Sequence, residues 1–131
     1  MAYYVDTSTL AKLVMREPEG AALRRWLGRH DGSLVSSDIS RTELIRATRR
    51  VAPTHVRQAR AVLDAVVLAR VTPEICDSAG LLGPAELRSL DAIHVATALA
   101  LGDELDGIVV YDSRFREAAS SVGIETIAPG T

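Results

Sequence analysis

Very little in this sequence can be cross-linked, stacked or sunk into a membrane. Cys76 is the single cysteine among 131 residues, which excludes an internal disulfide and suits a reducing compartment. Its expected place is in the core, as a small apolar residue. Aromatic side chains make up 4% of the chain against 47% hydrophobic, so the core has to be built from Leu, Val, Ile and Ala. That balance is globular and excludes intrinsic disorder. No apolar run approaches the roughly 20 residues that span a bilayer, and charged Asp6 and Lys12 arrive too early for a secretion signal. Repeats, low-complexity tracts and linkers are missing too. The expectation is one soluble, cytoplasmic domain over residues 1–131, long enough to bury a core.

Excess charge is also missing. The net charge is −2, from 15 basic and 17 acidic side chains. The layout is uneven, however: Arg41, Arg46, Arg49, Arg50, Arg57 and Arg60 stand against one acid, Glu43, between positions 41 and 60. If four of the 17 acids serve a metal site, 13 remain against 15 basic groups, and the rest of the surface is mildly basic. A solvated arginine-rich helical face is the alternative.

What is present alternates. Tyr3-Tyr4-Val5 reads as a strand, and Thr7-Ser8-Thr9 offers capping hydroxyls before Leu10, Leu13 and Val14 start a helical period. Glu17-Pro18-Glu19-Gly20 breaks the pattern, and Ala21 to His30 is a second helix with Leu23, Trp26 and Leu27 inward. Asp31-Gly32 is a turn, and Ser33 to Ser36 a short strand. A third helix, capped by Asp38 or Ser40, runs to about Val51 with Leu44, Ala47 and Val51 inward, until Pro53 interrupts. Thr54 to Leu68 is the fourth helix, Leu68 to Val71 a strand, and Thr72-Pro73-Glu74 opens a short helix. After Gly83-Pro84, Ala85 to Ala100 is helical and apolar nearly all round, so it is expected to be buried. Ile108 to Tyr111 is the clearest strand, followed by a helix from Ser113 to about Val122 and an edge strand at Glu125 to Ile127. Strands alternating with helices predict an α/β fold: a three-layer α/β/α sandwich with a central, mainly parallel sheet.

Four acids fall at informative places. Asp6 ends the first strand and Asp112 follows the last strong one, and ligands of open α/β sheets bind beyond the carboxyl ends of strands. Asp6 could instead simply cap the helix that follows. Glu43 lies one turn into the third helix on a face shared with Arg46 and Arg50, where a surface ion pair is the alternative. Asp91 lies in the most apolar helix, where a carboxylate must be paired, hydrogen-bonded, on a metal, or capping the helix end. Four carboxylates drawn to one cleft repel and need a cation. Oxygen donors suit Mg²⁺ or Mn²⁺, and the scattered His30, His55 and His94 do not suit Zn²⁺. Such an ion can activate water and bind phosphate oxygens, which suits phosphodiester hydrolysis. His94, one turn beyond Asp91, either orients it, contacts substrate, or is a hydrogen-bonded core residue. Arg46 and Arg50 are candidates for flanking phosphates.

Val5-Asp6-Thr7-Ser8 with Leu10, Thr42-Glu43-Leu44, Leu90-Asp91-Ala92-Ile93-His94-Val95-Ala96-Thr97-Ala98, and Tyr111-Asp112 with Phe115 resemble, in order and spacing, the four motifs of the PIN domain. The length and spacing are most similar to the VapC toxins of prokaryotic toxin–antitoxin pairs. The resemblance covers nearly the whole chain. It implies a Mg²⁺- or Mn²⁺-dependent endoribonuclease that cuts a structured cellular RNA such as tRNA or rRNA. Asp6, Glu43, Asp91 and Asp112 would be the metal ligands, with Thr7, Ser8 and His94 in support. It also implies a homodimer and a small VapB-type antitoxin that covers the site. Two positions depart from the family pattern: Val110 stands where many members have Thr or Ser, and Arg114 where some have another Asp. If Asp112 binds metal weakly, one tight ion plus a substrate-assisted second is the expectation. Two other readings stay open, a phosphatase with an Asp nucleophile (Ser8 stands where its second Asp belongs) and a PIN-like RNA-binding or assembly module without catalysis.

Overall fold

The computed structural model describes residues 1–30 and 32–131, so the turn expected at Asp31-Gly32 falls partly outside the described residues. The strands are β1 (Ala2–Val5), β2 (Ser33–Ser37), β3 (Val67–Ala69), β4 (Leu105–Val109) and β5 (Thr126–Ile127). The helices are α1 (Thr7–Ala11), α2 (Gly20–Gly28), α3 (Ile39–Val51), α4 (Val56–Ala65), α5 (Pro73–Gly80), α6 (Ser89–Ala100) and α7 (Ser113–Ser121). All strands pair in parallel, in the order β3-β2-β1-β4-β5. The chain builds outward from β1 on one side through β2 and β3, then crosses to β4 and β5 on the other. The boundary between β1 and β4 is therefore the switch point, where a crevice opens at the carboxyl ends of the strands.

The period of two along a strand divides the core. Tyr4, Ile108 and Val110 face one way and pack with Val95, Ala98 and Phe115 of α6 and α7. Val5 and Val109 face the other way and pack with Leu10, Leu23, Leu44 and Leu63 of α1 to α4. The result is the expected three-layer α/β/α sandwich. Among the described residues no helix is long and apolar enough to cross a membrane.

Several local expectations are corrected. α1 stops at Ala11 and its chain continues as turns through Leu13 and Val14. Neither Asp38 nor Ser40 caps α3: Asp38 pairs with Arg41, Ser40 bonds to Ser36, and the Ile39 N–H donates to the Ser37 hydroxyl at 3.2 Å. Val51 is 67% exposed rather than inward: it is the last residue of α3, and the backbone leaves the helix at Ala52 (φ −142°, ψ 69°). A 3₁₀ turn at Pro53–His55 delays α4, which ends at Ala65 and releases Val67 into β3, one residue before the strand expected from Leu68. β4 starts at Leu105, three residues before the expected Ile108. Cys76 is exposed, because it lies on α5, which buries only Ala79 of its residues.

The largest correction concerns α6. It starts at Ser89, not Ala85, because Pro84 to Leu87 close a turn and Arg88 is extended (φ −64°, ψ 146°). Leu90 and Leu99 are exposed, so the helix is not buried all round. Asp91 consequently stands in the first turn, where the helix dipole favours a carboxylate.

Candidate active site

Asp6 leaves β1 in an extended conformation and caps α1. Its Oδ1 accepts the Thr9 N–H at 3.0 Å and the Thr9 hydroxyl at 2.6 Å, and its Oδ2 accepts the Ser8 hydroxyl at 2.7 Å. The Thr9 hydroxyl also reaches the Val109 carbonyl at 3.0 Å, which ties this corner to β4. Asp6 is 5% exposed. Capping and a place in the crevice are thus one arrangement for Asp6, not alternatives.

Glu43 lies on α3 with its face toward the switch point. Among the described residues it makes no ion pair with Arg46 or Arg50. Its Oε1 instead accepts the Thr7 hydroxyl at 2.6 Å and faces His94 Nε2 at 2.9 Å. Burial alone would raise its pKa, but the hydrogen bonds from His94 and Thr7 outweigh that and hold the carboxyl below its usual range.

His94 is buried on α6, and its Nδ1 lies 2.6 Å from the Tyr4 hydroxyl. Burial raises the Tyr4 pKa far above the usual phenol value. The Glu43 carboxylate can only accept, so Nε2 must carry the hydrogen, and in the neutral ring Nδ1 is left to accept from the Tyr4 hydroxyl. Among the described residues His94 makes no hydrogen bond to Asp91. Of its three expected roles it takes the hydrogen-bonded core position, with Glu43 rather than Asp91 as its partner.

Asp91 makes no hydrogen bond among the described residues and is half-buried. Its pKa is raised by burial first and by the charges of Asp6 and Asp112, against the opposing pull of His94 and Arg88. Asp112 is exposed and caps α7, its Oδ1 accepting the Phe115 N–H at 3.0 Å.

These groups line one cleft of about 630 Å³. Asp6, Thr7, Ser8, Glu43, Arg46, Arg50, Asp91, His94 and Asp112 all contribute to its walls. Sequence reasoning missed Arg88, Tyr4 and Thr9. Arg88 was hidden by placing it inside an apolar helix, although Gly83-Pro84 was a signal that the helix begins later. Tyr4 was read only as strand, although a buried phenol usually needs a partner for its hydroxyl.

The donors facing this cleft are carboxylate oxygens, which fit a hard divalent cation, and the ring nitrogens of His94 are engaged by Tyr4 and Glu43. Among the described residues, no three His, Cys, Asp or Glu side chains gather into a ready-made cage. Zn²⁺ would need such a cage. Mg²⁺ and Mn²⁺ do not: Mg²⁺ typically keeps several waters and is held through one or two carboxylates plus substrate phosphates. The fit is therefore to a partly hydrated ion against Asp91 and its acidic neighbours.

The PIN domain family matches residues 3–120 of the chain. Ribonuclease VapC46 of Mycobacterium tuberculosis is 44% identical over 128 residues, spanning 98% of each chain. Ribonuclease VapC47 of the same species is 40% identical over 131 residues, spanning 97% of this chain and 96% of that one. Among solved structures, the sarcin-ricin-loop-cleaving toxin VapC20 of M. tuberculosis superposes with a TM-score of 0.77 at 19% identity, covering 98% of this chain and all of its own. A toxin–antitoxin complex from Klebsiella pneumoniae gives 0.69 at 17% identity, covering 97% of each. At those identities the structural likeness speaks for the fold.

Proposed function

This chain belongs to the PIN-domain family, and from that premise we propose that it is a Mg²⁺- or Mn²⁺-dependent endoribonuclease, the toxin of a VapBC-type pair. The observation that carries the reading is the cleft itself: four acids from four separate elements line one cavity at the switch point of the sheet, with arginines beside them. The VapC ribonucleases similar over the full chain support it.

Asp6, Asp91 and Asp112 would hold the cation, with Glu43 reaching it through water. When bound, the ion neutralises phosphate charge and lowers the pKa of a coordinated water. The chain's own groups do the rest. Ser8 and Thr9 fix both oxygens of Asp6, so the carboxylate needs no reorganisation to act. Thr7 and His94 hold Glu43 ionised, which suits it to accept a hydrogen bond from the attacking water and orient it. Arg46 and Arg50 would bind phosphates flanking the scissile one.

The proposed substrate is a structured cellular RNA such as tRNA or rRNA, cut in the cytoplasm. The further proposed partners are a VapB-type antitoxin, which the toxin–antitoxin complexes among the structural neighbours support, and a second copy of this chain. Incubation of total cellular RNA with purified, antitoxin-free protein tests the activity. Discrete fragments are expected with Mg²⁺ or Mn²⁺ and none with EDTA. An absence of cleavage in every divalent ion would favour an RNA-binding module, for which mutually repelling carboxylates bring no gain.

A further inference from the structure

A second, smaller cavity of about 270 Å³ adjoins the cleft. It shares Arg88, Asp91 and Asp112 with the larger one and adds Ser113, Arg114 and Glu86. Arg88 precedes α6 and Arg114 is the second residue of α7, and both are exposed. Among the described residues, neither guanidinium makes a hydrogen bond or an ion pair, although Glu86 and the two aspartates line the same cavity. Each keeps five N–H donors in the planar fork that matches phosphate.

The placement in the fold adds direction. Arg46 and Arg50 are on α3, which follows β2, whereas Arg114 is on α7, which follows β4. β2 and β4 flank β1 on opposite sides. Glu43 shares α3 with Arg46 and Arg50, and Asp112 precedes Arg114 at the start of α7, so the acids span the interval from the α3 arginines to Arg114, while Arg88 lines both cavities. A groove with cations at a single end grips a strand once. This one has them at both ends.

We propose that Arg88 and Arg114 form a second phosphate-binding lobe, so that an RNA strand is held by arginines on both sides of the acids and threads across them. The proposal rests on the ribonuclease reading and deepens it: the substrate class is a single-stranded segment long enough to reach both lobes. A strand ending at the acids would use only one. Glu86 sets the lobe's limit, since it disfavours any phosphate closer to it than to the arginines.

The test is equilibrium binding of fluorescein-labelled oligouridylates, one short and one long, across a salt series without divalent ions. The proteins compared are the parent, R88A/R114A, R46A/R50A and an outlying control, R57A/R60A, each checked by thermal melting. Every phosphate that is no longer neutralised should flatten the slope of log affinity against log salt by about 0.7 for a single strand. R88A/R114A and R46A/R50A should each flatten the slope for the long oligomer, and each should lose less affinity for the short one, which can still occupy the other lobe. R57A/R60A should match the parent. A slope for R88A/R114A equal to the parent's would overturn the second lobe while leaving the nuclease reading intact, and so would an equal loss in R57A/R60A. If the parent binds neither oligomer, the lobe is overturned; if it also cuts no RNA, the ribonuclease reading fails with it.

Discussion

Asp91→Asn is expected to lose RNA cleavage by on the order of a hundredfold or more, the scale of removing one preorganised group from a site where charge develops. It is also expected to fold at least as stably as the parent. The two effects separate because Asp91 is the acid with the least structural work. Among the described residues it makes no hydrogen bond, and its pKa is raised by burial and by Asp6 and Asp112. A carboxyl whose folded pKa lies above its unfolded value is disfavoured as the anion by the fold. That penalty is absent below the unfolded pKa, grows as pH rises, and is complete above the folded pKa. Asn removes it, so the gain in Tm should appear at neutral pH and fade in acid. Asp6→Asn makes the contrast. It also loses activity, but one amide oxygen cannot accept all three hydrogen bonds now made by the carboxylate, and a weakened cap costs about 1 kcal/mol. Thermal melts over a pH series, alongside RNA cleavage, check both. An Asp91→Asn protein that melts well below the parent at neutral pH would contradict this reading of the residue.

His94 gives the second large effect, and two amides divide its roles. Gln places its terminal group near the position of Nε2 and can still donate to Glu43. Asn reaches only the position of Nδ1, so it can keep the partner of Tyr4 while leaving Glu43 unsupported. Both should lower Tm, since both disturb a buried ring packed among Tyr4 and Phe115. Activity should divide them. His94→Asn should lower kcat by about ten- to a hundredfold, the equivalent of a charge-assisted hydrogen bond of roughly 1.5–3 kcal/mol, with KM little changed. His94→Gln should recover most of that loss. Equal kcat values in the two variants would reduce His94 to a packing residue. This is a positioning role, because the ring acts through Glu43 at 2.9 Å.

Much of this was legible in the sequence for a physical reason: strands and acids announce themselves locally. Tyr3-Tyr4-Val5 and Ile108-Val109-Val110 are apolar runs that read as central strands, and the acids that close them sit where a parallel sheet opens its crevice. Glu43 and Asp91 were found by their neighbours, one by an arginine face and one by an apolar helix. The illegible parts depend on distant partners. Nothing near His94 in the chain says that its ring meets a tyrosine 90 positions earlier, or that Glu43 prefers Thr7 and His94 to the arginines one turn away. The start of α6 depended on a turn at Pro84 to Leu87 that apolar periodicity overrode, and with it went Arg88. Val51 is the last residue of its helix and Cys76 lies on a helix that buries only Ala79, and neither exposure can be read from local periodicity.

The central claim is that the four acids are gathered to hold a hard divalent cation. Mn²⁺ binding to the protein without RNA, read by electron paramagnetic resonance for the parent and for Asp91→Asn, tests it most directly. Saturable binding is expected for the parent, weakening at least tenfold in the variant, about 1.4 kcal/mol or more. Binding of equal strength in both proteins, or no saturable binding in the parent, would contradict it.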